Sequence, residues 1–101
     1  MWFLRLRGYR VLARRFRVPV GEIDIVARRG SVVAFVEVKA RPSADAALES
    51  LTPRQRRRIA RAALAFLQAR PGLEMLVLRF DLVLVTPWRL PRHLEDAWRE
   101  S

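Results

Sequence analysis

Gly21-Glu22-Ile23-Asp24-Ile25-Val26-Ala27 and Phe35-Val36-Glu37-Val38-Lys39 are the two stretches on which the fold turns. The first alternates in character with a period of two, as a half-buried strand does. Between them lies Arg29-Gly30-Ser31, a tight turn, so the two form an antiparallel hairpin. The alternation puts Ile23, Ile25 and Ala27 on one face and Glu22, Asp24 and Val26 on the other. The partner strand, Val32 to Ala40, is mostly apolar and β-branched, which marks it as central in its sheet. Glu37 and Lys39 interrupt it and share one of its faces.

Upstream, the first seven residues read as the end of a helix stopped by Gly8. Tyr9 to Arg17 reads as a strand with Val11, Ala13 and Phe16 inward, broken by Val18-Pro19-Val20-Gly21. Downstream, Arg41 to Leu51 is expected to be a loop with a short helical piece. Thr52 then serves as an N-cap and Pro53 takes the first helical position, where its missing N–H costs nothing. That helix runs to about Ala69 and stops before Pro71-Gly72. Its apolar stripe is Ile59, Ala62, Ala63, Phe66 and Leu67, while Arg54, Arg57, Arg58 and Arg61 gather on the opposite side. Leu76 to Val85 is the fourth strand. After Pro87 a short amphipathic helix is expected from Arg92 to Arg99, docking Leu94, Ala97 and Trp98. The long helical crossover lets the fourth strand join in parallel. The expected architecture is α/β, a mixed four-stranded sheet flanked by helices, formed by residues 1–101 as one domain.

Composition narrows the chemistry. Hydrophobic residues make up 51% of the 101-residue chain, enough for a core beside 30% charged residues. With no cysteine and a single histidine, His93, neither a thiolate nucleophile nor a cysteine- or histidine-built zinc site is available. A metal here must be held by oxygens, which suits magnesium or manganese. The net charge of +10 points to a polyanionic partner, nucleic acid before membrane. No apolar stretch is long enough to span a bilayer, and Arg5, Arg7 and Arg10 follow the apolar start too soon for a signal-peptide core. The expected location is the cytoplasm.

Nineteen of the twenty basic residues are arginine, and Lys39 is the only lysine. An ammonium is a compact point charge suited to orienting a water molecule or meeting a developing phosphate charge. If the hairpin brings its strands into register, Asp24 and Glu37 can hold one divalent cation, with the Val38 carbonyl as a third oxygen and Lys39 beside the attacking water. That set is the equipment for phosphodiester hydrolysis. The competing account is a solvated sheet face on which Glu37 and Lys39 pair with neighbours. Charges are costly in a strand buried on both sides, which favours a cleft.

These two stretches together resemble the PD-(D/E)XK, or restriction-endonuclease-like, superfamily, and more closely its YraN-like family. The resemblance extends to Gly8-Tyr9-Arg10-Val11-Leu12, to Thr52-Pro53-Arg54-Gln55-Arg56 with Ile59, and to Arg79-Phe80-Asp81-Leu82-Val83. It implies an αβββαβ core with a shortened first helix. It also implies Asp24 and Glu37 as metal carboxylates, Lys39 as the motif lysine, and Mg²⁺ or Mn²⁺ as cofactor. Similar Holliday-junction resolvases make branched DNA a plausible substrate by analogy. Members of the family usually carry a glutamate on a longer first helix, whereas none of Met1 to Arg7 is acidic. An earlier start, Glu22 in that role, and binding without cleavage all stay open. Gln55 stands where a lysine is common and is a candidate accessory residue.

The arginines at 54, 57, 58 and 61, extended by Arg41, Arg14, Arg15 and Arg17, are candidates for tracking a phosphate backbone, or else a solvated face. Asp81 beside Arg79 reads as a structural ion pair, and His93 as a surface or capping residue. Trp2, Trp88 and Trp98 are candidates for base stacking, with core or dimer packing favoured. Three functions compete: a metal-dependent DNA endonuclease, a non-catalytic nucleic-acid binder on the same fold, and an adaptor whose charge reflects genome composition. A homodimer stays open as a partner, since many enzymes of that fold pair to cut both strands.

Overall fold

The protein is described by a computed structural model covering residues 1–99. Its elements run α1 (Trp2–Leu6), β1 (Arg10–Val18), β2 (Gly21–Arg29), β3 (Val32–Ala40), α2 (Ala44–Glu49), α3 (Pro53–Gln68), β4 (Val77–Val85) and β5 (Arg92–Trp98). The strands form one mixed sheet in the order β1-β2-β3-β4-β5. Only β3 and β4 are parallel; the other three pairs are antiparallel.

Local chemistry sets the helices. The Thr52 hydroxyl accepts the Gln55 N–H at 3.2 Å and Pro53 opens α3, while Ser43 caps α2 by accepting the Ala46 N–H at 3.1 Å. Helix α3 buries Ile59, Ala62, Ala63 and Phe66 against Ile23 and Val26 of β2, Val33 and Phe35 of β3, and Leu82 and Leu84 of β4. Each large side chain so buried contributes about 1.5–3 kcal/mol. The other face of the sheet is smaller and is covered by α1, with Leu4 and Tyr9 against Ile25, Ala27, Ala34, Val36 and Val83.

Four expectations are corrected. The sheet has five strands, because Arg92–Trp98 is a strand and not a helix. Phe80 pairs with Trp98 and Leu82 with Leu94, so β5 bulges between them, with Asp96 in the left-handed region at φ 52°. The bulge puts Leu94, Ala97 and Trp98 on the core side at a helix-like spacing. His93 is therefore not a surface or capping residue. Its side chain is wholly buried, with Nε2 2.6 Å from the Asp81 carboxylate. In β2 the period of two breaks at Asp24: Ile23 packs on the α3 side, whereas Ile25 and Ala27 pack on the α1 side and Val26 opposite them. In β1 a bulge at Leu12 likewise turns Val11 to the α1 side and Leu12 and Ala13 to the α3 side. The expected ion pair of Arg79 with Asp81 is present, as a two-pronged contact at 2.8 Å.

Candidate functional site

The break in β2 is the origin of the site. Strands β2 and β3 pair from Arg29↔Val32 to Ile25↔Val36, and the ladder goes no further. Across β2, the pairing with β1 skips the position between Arg14↔Ile25 and Phe16↔Ile23, where Arg15 has φ 49°. Freed from the ladder, Asp24 reaches sideways and its Oδ2 accepts the Val38 N–H at 2.8 Å. In an extended strand a residue's N–H and C=O leave the same edge, so the Val38 carbonyl also faces β2. Glu37 lies beside Asp24 and is only 8% exposed. Its carboxyl is pushed up to about 9, first by burial and then by the hydrogen bond and charge of Asp24, with Lys39 opposing.

Lys39 and Glu37 share a face, as the alternation of β3 predicts, and Gln55 of α3 ties them together. Its Oε1 accepts from Lys39 Nζ at 3.2 Å, and its Nε2 donates to Glu37 Oε2 at 3.3 Å. The Thr52 cap fixes where Gln55 leaves the helix, and Gly21 fixes how closely α3 lies on β2. A Cβ on Gly21 would overlap the Arg58 carbonyl oxygen, so only glycine admits this approach. Gly21 and the bridging role of Gln55 escaped the sequence reading. A glycine heading a strand, three residues before a strand carboxylate, was the available signal for the first.

The remaining candidates divide. A cleft of about 180 Å³ is lined by Glu22, Glu37, Thr52, Arg54, Gln55 and Arg58. Glu22 is in it, but exposed and paired to Arg17 at 3.1 Å. Asp24 instead opens on the other side, to a hollow of about 330 Å³ lined with Met1, Arg14, Arg15 and Val38. Glu22 and Asp24 thus do not share a face as the alternation implied. Among the described residues no three acidic or histidine side chains converge on one point. Arg54, Arg57 and Arg61 are exposed, whereas Arg58 is half-buried at the cleft. Arg41 donates to the Ala40 carbonyl at 2.8 Å. Trp98 is core, stacked on Phe80 at 5.4 Å; Trp2 and Trp88 are exposed.

The donors that meet are all oxygens: two carboxylates and a backbone carbonyl on the same edge. That set fits a hard divalent cation. The raised Glu37 carboxyl has a consequence without any metal. A folded-state value above the unfolded one stabilises the fold below about pH 4.5 relative to higher pH, and this is lost as pH rises toward about 9. In metal-free buffer, stability is therefore expected to fall between these limits, and Glu37→Gln to flatten that slope. Urea midpoints across this range in chelator, for both proteins, measure it; parallel profiles would contradict the burial of Glu37 against Asp24.

No helix among the described residues is long and apolar enough to cross a membrane. Residues 1–85 match the uncharacterised protein family UPF0102. The chain is 59% identical to the UPF0102 protein amb4503 of Paramagnetospirillum magneticum, over 98% of its own length and 79% of that protein's. It is 60% identical to a UPF0102 protein of Parvibaculum lavamentivorans, over 95% of its length and 72% of the relative's. With a UPF0102 protein of Rhodopseudomonas palustris strain HaA2 it shares 56% identity over 98% and 77%. By family match and by these relatives, the chain belongs to the UPF0102 family.

Proposed function

We propose that this protein is a divalent-metal-dependent DNA endonuclease of the PD-(D/E)XK type and its YraN-like branch, acting in the cytoplasm on branched or flapped DNA. The observation that carries the reading is Glu37 buried against Asp24 where the β2–β3 ladder ends, with Lys39 held two residues on. The order α1, β1, β2, β3, α3, β4 supports the αβββαβ core of that superfamily, with β5 as an added edge strand.

Asp24, Glu37 and the Val38 carbonyl would hold Mg²⁺ or Mn²⁺, which polarises the phosphate and lowers the pKa of the attacking water. Gln55 aims the Lys39 ammonium, which meets the charge developing on phosphate. Arg54 and Arg58 at the cleft, with Arg57 and Arg61 further along α3 and Arg41 just after β3, grip the strand through its phosphates. Glu22, if released from Arg17, becomes a proton acceptor at the cleft mouth.

A second reading is a non-catalytic nucleic-acid binder. It is favoured by one observation: among the described residues only two carboxylates meet, and Glu22 is engaged elsewhere. Incubating the protein with labelled linear, flapped and four-way DNA in magnesium or manganese, beside Asp24→Ala, decides between them. Cleavage lost in the variant is the expected result. Binding without cleavage in both proteins would leave the second reading standing.

A further inference from the structure

We propose that the loop joining β4 to β5, Thr86-Pro87-Trp88-Arg89-Leu90-Pro91, is a stacking platform for an unpaired base of the DNA strand entering the site, with Trp88 as the platform ring. This rests on the endonuclease reading and narrows its substrate to DNA with an unpaired segment.

Trp88 is fully exposed and Leu90 largely so. A tryptophan normally buries a large ring in the fold, as Trp98 does against Phe80. The Trp88 backbone is also in the left-handed region, at φ 63°. For a bulky residue that is a costly conformation, and residues held in it concentrate at binding sites. The ring stands outward, where it adds nothing to the core. Pro87 and Pro91 bracket the loop and restrict its backbone, so little order remains to be acquired on binding.

Position and charge select the partner. Val85 lies opposite Ala40 in the parallel ladder, one step beyond Lys39 opposite Leu84. Trp88 follows Val85 by three residues, so its Cα lies within about 11 Å of Val85 at ~3.3–3.6 Å per residue. A strand held by Lys39 therefore reaches Trp88 within a few nucleotides at ~3.4 Å each. Arg89 in the loop and Arg92 at the start of β5 are exposed, and Arg41 lines the adjoining hollow with Ala40, Pro42, Val85 and Pro87. An exposed ring set among cations is the pattern that recognises single-stranded nucleic acid. The cations follow the phosphates, and the ring accepts the face of any base. In a closed duplex the bases are already stacked on each other, so the ring offers a duplex nothing.

Fluorescence anisotropy of labelled oligothymidine and of a blunt-ended duplex annealed from two complementary strands, in chelator so that nothing is cut, tests this with wild type, Trp88→Ala and Trp88→Phe. Trp88→Ala is expected to weaken oligothymidine binding roughly five- to hundred-fold, and Trp88→Phe to keep most of it. Duplex binding should be unchanged in both variants. The ring is exposed, so neither substitution threatens the fold. Equal losses on both probes, or none on oligothymidine, would overturn the proposal. So would a change in oligomeric state with Trp88→Ala by light scattering, which would assign the loop to a second copy. Cleavage by wild type in magnesium is scored separately, so failure of the endonuclease reading shows there and not in the anisotropy.

Discussion

Lys39→Ala is expected to lower DNA cleavage by roughly 10²–10³-fold, the loss seen when one group aimed at transition-state charge is removed, with binding largely intact. Lys39 is one cation among twenty and touches Gln55, not the exposed arginines of α3. It therefore adds little to the salt-sensitive grip on the phosphates. Glu37→Ala is expected to be at least as damaging to cleavage, since it removes half of the paired carboxylates and frees one end of Gln55. Single-turnover cleavage and anisotropy on one flapped substrate separate the two effects. Binding that collapses in step with activity would mean these side chains hold the contact or the fold, not the chemistry.

Asp81→Ala is expected to cost about 3–5 kcal/mol of folding stability, the range for removing one partner of a buried ion pair. Asp81 is wholly buried and accepts from Arg79 at both oxygens, from His93 and from the Asp96 N–H at 2.9 Å. Burial alone would raise its carboxyl, but the hydrogen bonds from His93, Arg79 and the Asp96 backbone outweigh it and hold the group below the usual range. Removing it leaves Arg79, only 14% exposed, with Glu95 and the Tyr9 hydroxyl alone as partners, and the buried His93 ring without its carboxylate. It also unties the β5 bulge. With domain stabilities of only ~5–15 kcal/mol, that is a large share. The sign with pH is opposite to that of Glu37: a lowered carboxyl contributes stability above its unfolded value near 4, lost as pH falls. Urea midpoints at neutral pH measure the main effect. A loss under about 1 kcal/mol would show that the network behaves as an exposed pair does.

The strands and α3 were legible because their signals are local. Thr52-Pro53 states where α3 begins, and the apolar run around Phe35 states which strand is central. The pairing of Asp24, Glu37 and Lys39 was legible for the same reason on β3, where alternation holds from Val33 to Lys39. It was misread on β2, because a bend at Asp24 reverses the faces and no residue type announces it. Strand β5 was hidden more deeply. Leu94, Ala97 and Trp98 carry a helical spacing, and it is pairing with β4, where Asp81 takes the Asp96 N–H, that makes that spacing a bulge. Tyr9, Arg79, Asp81 and His93 come from three strands or their ends, so their network exists only once the sheet is assembled. Gln55 sits in the inward sector of α3, yet its two partners are on β3.

Both margins of the sheet carry an irregularity: β1 at Leu12 and Arg15, β5 between Leu94 and Trp98. A margin that bends and carries arginine cannot template a neighbour's backbone, and β1 bears exposed Arg10, Arg14, Arg15 and Arg17 along its length. Fibre-like growth by strand addition is thereby disfavoured at each end. The helices and loops, and not the sheet margins, are then the surfaces left for any contact between two copies of this chain.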